Sequence, residues 1–430
     1  MSGEGGRNEA PPLDPAEADA LLAPFFDAGP LAIAVSGGAD STALMILAAD
    51  FAKRHPHYPQ PLVLTVDHGL RAEAAGECAE VCAMATRFGL PSETLRWHPG
   101  VLHGDIQAKA REARYRLLAE AARSKGIAHV LLAHHLDDRA ETFLMRLGRG
   151  SGLRGLAAMG PSRDVDGVTF LRPLLSVPRR RLEASLRAAG LSWIDDPSNS
   201  DGRFLRVRTR QLMPELASIG LTPERLAETA ERLSRAASVI ERLVGRLRSE
   251  AVCWHPGYVR LDGARLCEAD EEIALRLLSD LIRDLRGTDY GPSFQPLEAW
   301  YGLLRAGEAP RAATLGGVML APRRDGLWLY PEAGRTGFEE RAVDEDGIYL
   351  WDGRLRVVLK GLENRAFRLA ALGGAGRRQL EESGIRLPGP AAARESIPGL
   401  FDADAGLVAA PGQPGRDHGI ELRLAQTGEH

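Results

Sequence analysis

Leu31-Ala32-Ile33-Ala34-Val35 runs directly into Ser36-Gly37-Gly38-Ala39-Asp40-Ser41-Thr42, and an amphipathic pattern continues to Arg54. The apolar run reads as a strand buried on both faces, and the segment after the glycines reads as a helix. Glycines let a backbone turn tightly and approach an anion, while the unpaired N–H groups at a helix start favour negative charge. Ser36 and Ser41 add hydroxyl donors, so strand, glycine turn and helix together supply what a phosphate site requires. A bare Gly-Gly would serve equally as a βα turn, but the full string S-G-G-x-D-S is more specific. The nearest lysine is Lys53, at the far end of the helix. A G-x-x-x-x-G-K-[ST] loop of the kinase or GTPase kind is therefore excluded.

Outward from this turn, apolar runs alternate with amphipathic segments through residue 147, as in βαβα units. Strands are expected at Leu31–Val35, Leu62–Val66, Thr94–Trp97 and His129–Ala133, with helices near 41–54, 73–89, 107–125 and 137–147. The reading is an α/β fold with a mostly parallel sheet over residues 26–215, after a flexible N-terminal tail, 1–25. The stretch GPSRDVDG after Met159 reads as a turn, followed by a short helix near 178–189 and a polar loop from Asp195 to Asp201. A mostly helical middle domain is expected over 221–332 and a small α+β domain over 338–430.

A second polar cluster follows the fourth strand: Ala133-His134-His135-Leu136-Asp137-Asp138-Arg139-Ala140-Glu141-Thr142. If a helix starts near Asp137, then His134, Asp138 and Glu141 share one face. Ligands of open α/β sheets bind at the carboxyl ends of strands, so this cluster and the Ser36–Ser41 loop converge on one crevice. Ordinary helix-start acids and a strand-end histidine would look the same residue by residue. A metallohydrolase is a second alternative, disfavoured because it has no need of the phosphate loop.

The chain has 430 residues, 54 Lys+Arg against 58 Asp+Glu, and a net charge of −4, which speaks against a chain coated in nucleic-acid-binding charge. Only Lys53, Lys109, Lys125 and Lys360 are lysines, so arginine carries nearly all the positive charge. Its best local concentration is Arg172, Arg179, Arg180, Arg181, Arg187, Arg203, Arg206, Arg208 and Arg210, readable as an RNA-phosphate surface or as a solvated, ion-paired face. Four sparse cysteines give neither a disulfide framework nor C-x-x-C pairs. No apolar run approaches a membrane span and the polar opening has no signal-peptide profile, so a cytoplasmic protein is expected.

The S-G-G-x-D-S loop resembles the pyrophosphate-binding loop of the N-type ATP pyrophosphatases. Together with H-x-x-D-D-x-x-E-T, it resembles the tRNA(Ile)-lysidine synthetase family within that group. Val66-Asp67-His68-Gly69-Leu70-Arg71, Arg149-Gly150-Ser151-Gly152, Arg172-Pro173-Leu174-Leu175, Trp193, Asp195-Asp196-Pro197-Ser198-Asn199 and Thr314-Leu315-Gly316-Gly317-Val318 follow in the family's order. The chain departs from the pattern at Arg206-Val207-Arg208-Thr209-Arg210, where Val207 stands for the family's asparagine.

The resemblance implies a PP-loop, adenine nucleotide alpha-hydrolase-like domain that uses ATP and Mg²⁺. It would adenylate the wobble cytidine of a tRNA(Ile) with a CAU anticodon, join free L-lysine to it, and change decoding from AUG to AUA. Ser36, Gly37, Gly38, Ala39, Asp40, Ser41 and His68 would then bind ATP, with Asp40 meeting Mg²⁺. Asp137, Asp138 and Glu141 would hold lysine's ammonium groups, and one of them or His134 would act as general base. Arg172, Arg203, Arg206, Arg208 and Arg210 would contact tRNA, aided by the middle and last domains. Rival readings are a tRNA thiolase, which would bring C-x-x-C pairs, an amidating enzyme, which would bring a glutaminase domain, and a tRNA-binding protein without catalysis.

Overall fold

The computed structural model describes residues 10–69, 73–97, 106–157, 159–194, 203, 205–288, 291–308, 310–335, 337–363, 365–402, 406–411 and 420–426. The Asp195–Asn199 segment and Leu70-Arg71 lie outside the described residues. The chain divides into two compact units, Met1–Ser238 and Val239–His430. Among the described residues no helix is long and apolar enough to cross a membrane.

The first unit runs α1 (Pro15–Phe26), β1 (Leu31–Ala34), α2 (Ala39–Arg54), β2 (Leu62–Asp67), α3 (Ala74–Arg87), β3 (Ser92–Arg96), α4 (Ile106–Ser124), β4 (His129–Leu131), α5 (Leu136–Leu147), α6 (Leu153–Leu156), β5 (Ser162–Val165), β6 (Val168–Leu171), α7 (Arg179–Ala188), α8 (Leu205–Ser218) and α9 (Pro223–Ala251), the last crossing the division. Its six strands lie in the order β3-β2-β1-β4-β6-β5, all parallel except the edge strand β5. The order reverses between β1 and β4, and a ligand crevice opens at the carboxyl ends of the strands at such a switch point. Both polar clusters seen in the sequence emerge there.

Burial explains the sheet. β1 is buried along its whole length, and Val63, Leu64, Val130 and Phe170 are sealed beneath helices, the mark of parallel strands covered on both faces. Helix α2 is buried nearly all round because α1 and α7 both pack on it.

Two expectations are corrected in this unit. Residues 15–25, assigned to a flexible tail, belong to α1, started by an Asp14/Glu17 capping box in which Asp14 Oδ1 accepts from Glu17 N at 2.9 Å. The helix is strapped down by Arg181, which donates to Glu17 and to the Pro11 and Pro12 carbonyls, and by a Phe26–Phe51 ring contact at 4.5 Å. The GPSRDVDG stretch, read as a turn throughout, is the strand β5 and the turn of a β-hairpin. Asp166 and Gly167 both take positive φ, 49° and 78°, the two-residue turn for which Asp-Gly is suited, and they carry β5 beside β6.

The second unit continues with β7 (Val252–His255), β8 (Tyr258–Leu261), α10 (Gly263–Glu268), α11 (Glu271–Arg286), α12 (Phe294–Arg305), β9 (Ala313–Leu315), β10 (Val318–Arg323) and β11 (Gly326–Pro331). These strands form a five-stranded antiparallel sheet, β7-β8-β11-β10-β9, against which α11 buries Ile273, Leu277, Leu278 and Leu281. Helices α9–α12 hold most of the described residues of 221–332, the region expected to be mostly helical, and this sheet packs with them.

Then follow β12 (Arg341–Val343), β13 (Gly347–Trp351), β14 (Leu355–Lys360), β15 (Phe367–Ala371), α13 (Gly373–Glu382), α14 (Ala391–Glu395), β16 (Pro398–Phe401), β17 (Leu407–Ala409) and β18 (Glu421–Gln426), in sheets β12-β15-β16-β17 and β13-β14-β18. This stretch is α+β, as its sequence suggests.

Candidate active site

The turn after β1 is built by its own side chains. Ser41 Oγ accepts from Ser36 N at 3.1 Å, lies 3.2 Å from Ser36 Oγ and donates to Gly38 O at 3.1 Å, while Thr42 Oγ1 donates to Gly37 O at 3.2 Å. Gly37 takes φ +86°, and a Cβ there would meet Ile194 Cδ1 at 2.6 Å. Only glycine meets both demands. At Gly38 a Cβ would meet nothing closer than Ser36 Oγ at 3.9 Å. The space beside that backbone is open, and it faces the cleft.

That cleft, of about 490 Å³, is lined by Ser36, Gly38, Asp40 and Ser41 from the turn, His68 from the end of β2, His134 and Asp138 from the segment after β4, Arg111, Arg114 and Tyr115 from α4, Arg179 from α7, and Arg206 and Arg210 from α8. Asp40 stands in the first turn of α2, with Oδ2 3.4 Å from His135 Nε2 and Oδ1 3.5 Å from Arg179 Nε. Burial works to raise its pKa, but His135, Arg179 and Arg210 outweigh it and hold the carboxyl below its usual range. Its Oδ1 is buried and has no hydrogen-bond partner. Among the described residues no group of three or more His, Cys, Asp or Glu could hold a metal ion. Mg²⁺ is commonly held by one or two carboxylates plus phosphate oxygens, and Asp40 fits that mode as the single protein ligand.

Arg172 Nε donates to His134 Nδ1 at 3.2 Å, and Arg172 Nη1 donates to Gly160 O at 2.7 Å. A guanidinium only donates, so the His134 ring accepts at Nδ1 and carries its proton on Nε2. Burial, then the fields of Arg172, Arg111, Arg206 and Arg114, push its pKa down to about 2. His134 is therefore a neutral ring with an N–H to offer and a poor base, which speaks against the general-base role that the resemblance offered it as an alternative to the carboxylates. Arg172 is 8% exposed and spent on these bonds, so it does not form part of an open RNA-facing surface.

His135 is completely buried and starts α5. Its Nδ1 accepts from Asp138 N at 3.3 Å, and Asp138 Oδ2 accepts from His135 N at 3.1 Å, a reciprocal cap. Asp137 Oδ2 accepts from Arg179 N at 2.8 Å and so fastens the start of α7 to the start of α5.

The remaining acids are taken by α8. Arg206 donates from Nη2 to Asp138 Oδ1 at 2.6 Å and from Nε to Glu141 Oε2 at 2.8 Å, and Arg210 Nε donates to Glu141 Oε1 at 2.7 Å. Burial works against both guanidinium charges, yet the carboxylates prevail and raise both arginine pKa values. Two residues expected to reach tRNA phosphates and two expected to hold lysine are thus bonded to each other. Arg203 and Arg208 are exposed. Arg179, Arg180, Arg181 and Arg187 pair with Glu183, Glu224, Glu17 and Glu183. Acids and arginines are thus interleaved across the cleft.

Arg111, Arg114, Tyr115 and His135 escaped the sequence reading as site residues, and Arg179 was read only as part of the arginine-rich stretch. Arg111-x-x-Arg114-Tyr115 spans one helical turn, a spacing that could have flagged α4 as a wall of the cleft.

The sequence model of a PP-loop domain matches residues 14–216. A tRNA(Ile)-lysidine synthase from Bradyrhizobium diazoefficiens is 43% identical over 336 residues, covering 75% of this chain and 93% of the relative. The chain belongs to the tRNA(Ile)-lysidine synthase family. Relatives of the same name from a Methylobacterium species, 44% identical over 76% of this chain and 97% of theirs, and from Ruegeria pomeroyi, 39% identical over 89% and 88%, agree. A ligase built on a PP-loop ATP-using domain accounts for the switch-point cleft and its glycine turn.

Proposed function

We propose that this chain joins free L-lysine to the wobble cytidine of a tRNA(Ile) with a CAU anticodon, using ATP to adenylate the cytidine, and so converts an AUG-reading tRNA into an AUA-reading one. The observation that carries the reading is the meeting of the S-G-G-x-D-S turn with His134 and Asp138 in one cleft, in a chain of this family. Ser36, Ser41 and the backbone of Gly37, Gly38 and Ala39 hold the departing pyrophosphate, and His68 stands on the adenosine side. Asp40 would hold Mg²⁺, which would neutralise charge on the phosphates. His134 donates from Nε2 to an oxygen of the reacting group. The cytidine O2 leaves as AMP when the lysine nitrogen bonds to C2.

Lysine's amine has an ordinary pKa of about 10.4 and must lose a proton before it attacks. Asp138, which lines the cleft, accepts that proton, with Asp137 and Glu141 fixing its surroundings. Arg203 and Arg208 offer charge to the tRNA backbone. The test is incubation with ATP, Mg²⁺, labelled lysine and a CAU-anticodon tRNA(Ile) transcript. Label in the tRNA is expected, and its absence where the tRNA binds would defeat the proposal.

A further inference from the structure

The glycine turn has two faces. Ser36, Gly38, Asp40 and Ser41 line the cleft, whereas Gly37 and Thr42 line a separate cavity of about 90 Å³ behind the turn, together with Val81 of α3 and Trp193 and Ile194 from the chain after α7. Thr42 is 1% exposed and is not among the residues that line the cleft.

Two donors meet on the Gly37 carbonyl from this rear side, Thr42 Oγ1 at 3.2 Å and Ile194 N at 3.0 Å. Gly38 O is occupied separately, by Thr42 N at 3.0 Å and Ser41 Oγ at 3.1 Å. In a planar trans peptide the C=O and N–H point in opposite directions. A Gly37 carbonyl held to the rear therefore aims the Gly38 N–H toward the cleft. Among the described residues that N–H donates to no protein acceptor, so it is a spare donor at the start of α2, suited to an anion. The same peptide is the one in the turn most easily inverted. Glycines flank it on both sides, and no Cβ opposes rotation about Gly37 ψ and Gly38 φ. Half a turn would present the Gly37 oxygen, the negative end of the dipole, to the phosphates. The bonds from Thr42 and Ile194 oppose that rotation, and of the two only Thr42's depends on a side chain.

We propose that Thr42 is a positioning residue for the phosphate turn: from behind, and without touching the ligand, it locks the Gly37–Gly38 peptide so that Gly38 N–H faces the departing pyrophosphate. The inference rests on the proposed function for the identity of that anion as the pyrophosphate of ATP. A buried hydroxyl that merely satisfied itself on a nearby carbonyl would affect folding alone. A peptide lock affects folding and, selectively, the grip on pyrophosphate.

The test is calorimetric titration of the full chain with magnesium pyrophosphate and, separately, with AMP, which lacks the departing group. Thr42→Val keeps the shape and removes the donor. It is expected to weaken pyrophosphate binding by about 3- to 10-fold, the scale of one net hydrogen bond, and to leave AMP binding unchanged. Thr42→Ser keeps the hydroxyl and is expected to restore pyrophosphate affinity to within about twofold of the parent. Thr42→Ala removes the donor without the bulk of valine and is expected to match Thr42→Val. Unaltered pyrophosphate affinity in Thr42→Val and Thr42→Ala, equal loss of both ligands, a Thr42→Ser chain as weak as Thr42→Val, or no pyrophosphate binding by the parent chain overturns the lock. Thr42-dependent pyrophosphate binding in a chain that transfers no lysine to tRNA would refute the proposed function and leave the lock standing. Lysine transfer by a parent chain whose pyrophosphate affinity does not respond to Thr42→Val would do the reverse.

Discussion

Replacing Glu141 by glutamine removes one charge and almost no volume, so it isolates the electrostatic part of the contact between α5 and α8. The Glu141 side chain is 2% exposed and accepts from Arg206 Nε at 2.8 Å and Arg210 Nε at 2.7 Å. Each is a charge-assisted hydrogen bond of about 1.5–3 kcal/mol, so the pair amounts to about 3–6 kcal/mol before any relaxation. The two guanidiniums are 37% and 35% exposed and regain water when released, which reduces the sum by roughly half. The glutamine oxygen still accepts one bond, leaving a net loss of about 2 kcal/mol. In a unit of this size that lowers the unfolding midpoint by about 4–8 °C. A chain of two units does not unfold as a single two-state system. Hydrogen exchange of α5 and α8 peptides is therefore the primary assay, with chemical denaturation alongside. Loss of protection worth less than about 0.5 kcal/mol would refute the argument, as would strictly additive costs when Arg210→Gln is combined with it.

Three further outcomes are expected. His134 has a folded pKa of about 2 against an ordinary 6.5, so the unfolded chain takes up the proton first; its stabilising contribution is full above about pH 6.5 and is lost as pH falls toward 2. His134→Gln should flatten the slope of unfolding free energy between about pH 6.5 and 4.5 by close to one proton, about 1.4 kcal/mol per pH unit, and an unaltered slope would show that the ring is not held neutral. Gly37→Ala forces an alanine to φ +86° and into Ile194; a loss of about 1–3 kcal/mol is expected in denaturation, and Ile194→Ala should relieve only the steric part. Asp137→Ala removes the acceptor for Arg179 N and should cost about 1 kcal/mol, whereas Asp137→Asn keeps an acceptor and should cost less than half of that. If both lower lysine incorporation to the same extent, the charge matters to the reaction beyond its role in α7.

The parallel sheet was legible because β1, β2 and β4 are apolar runs, the first buried along its whole length, the second over half of its length and the third over most, and the glycine turn after β1 carries its own signature. The Asp166-Gly167 hairpin was equally legible in principle, since Asp-Gly is the favoured pair for that turn, but its flanking strands are four residues each and polar on one face. The β7–β8 hairpin hid for a related reason: Val-Cys-Trp-His has no clean alternation, and its pairing to β11 joins residues about seventy positions apart. In the site, residue types were readable but partners were not. Nothing in the string Asp138-x-x-Glu141 says whether its counter-ion is a substrate or Arg206 and Arg210, because that depends on where α8 lands. Likewise the order His134-His135 does not reveal that one ring is a neutral donor and the other a buried cap.

The distance along the chain between Glu141 and its arginines has a consequence for how the catalytic unit comes into being. Until Arg206 and Arg210 have joined the fold, Glu141 is a bare acid in an apolar setting, and Asp138 lacks the guanidinium that neutralises it. A nascent chain that has extruded the whole sheet but not α8 therefore holds a phosphate turn with no finished acid pair beside it. Any attempt to cut the protein down to its nucleotide-binding core must keep α8, or it will isolate a fragment whose charges have been separated from their partners.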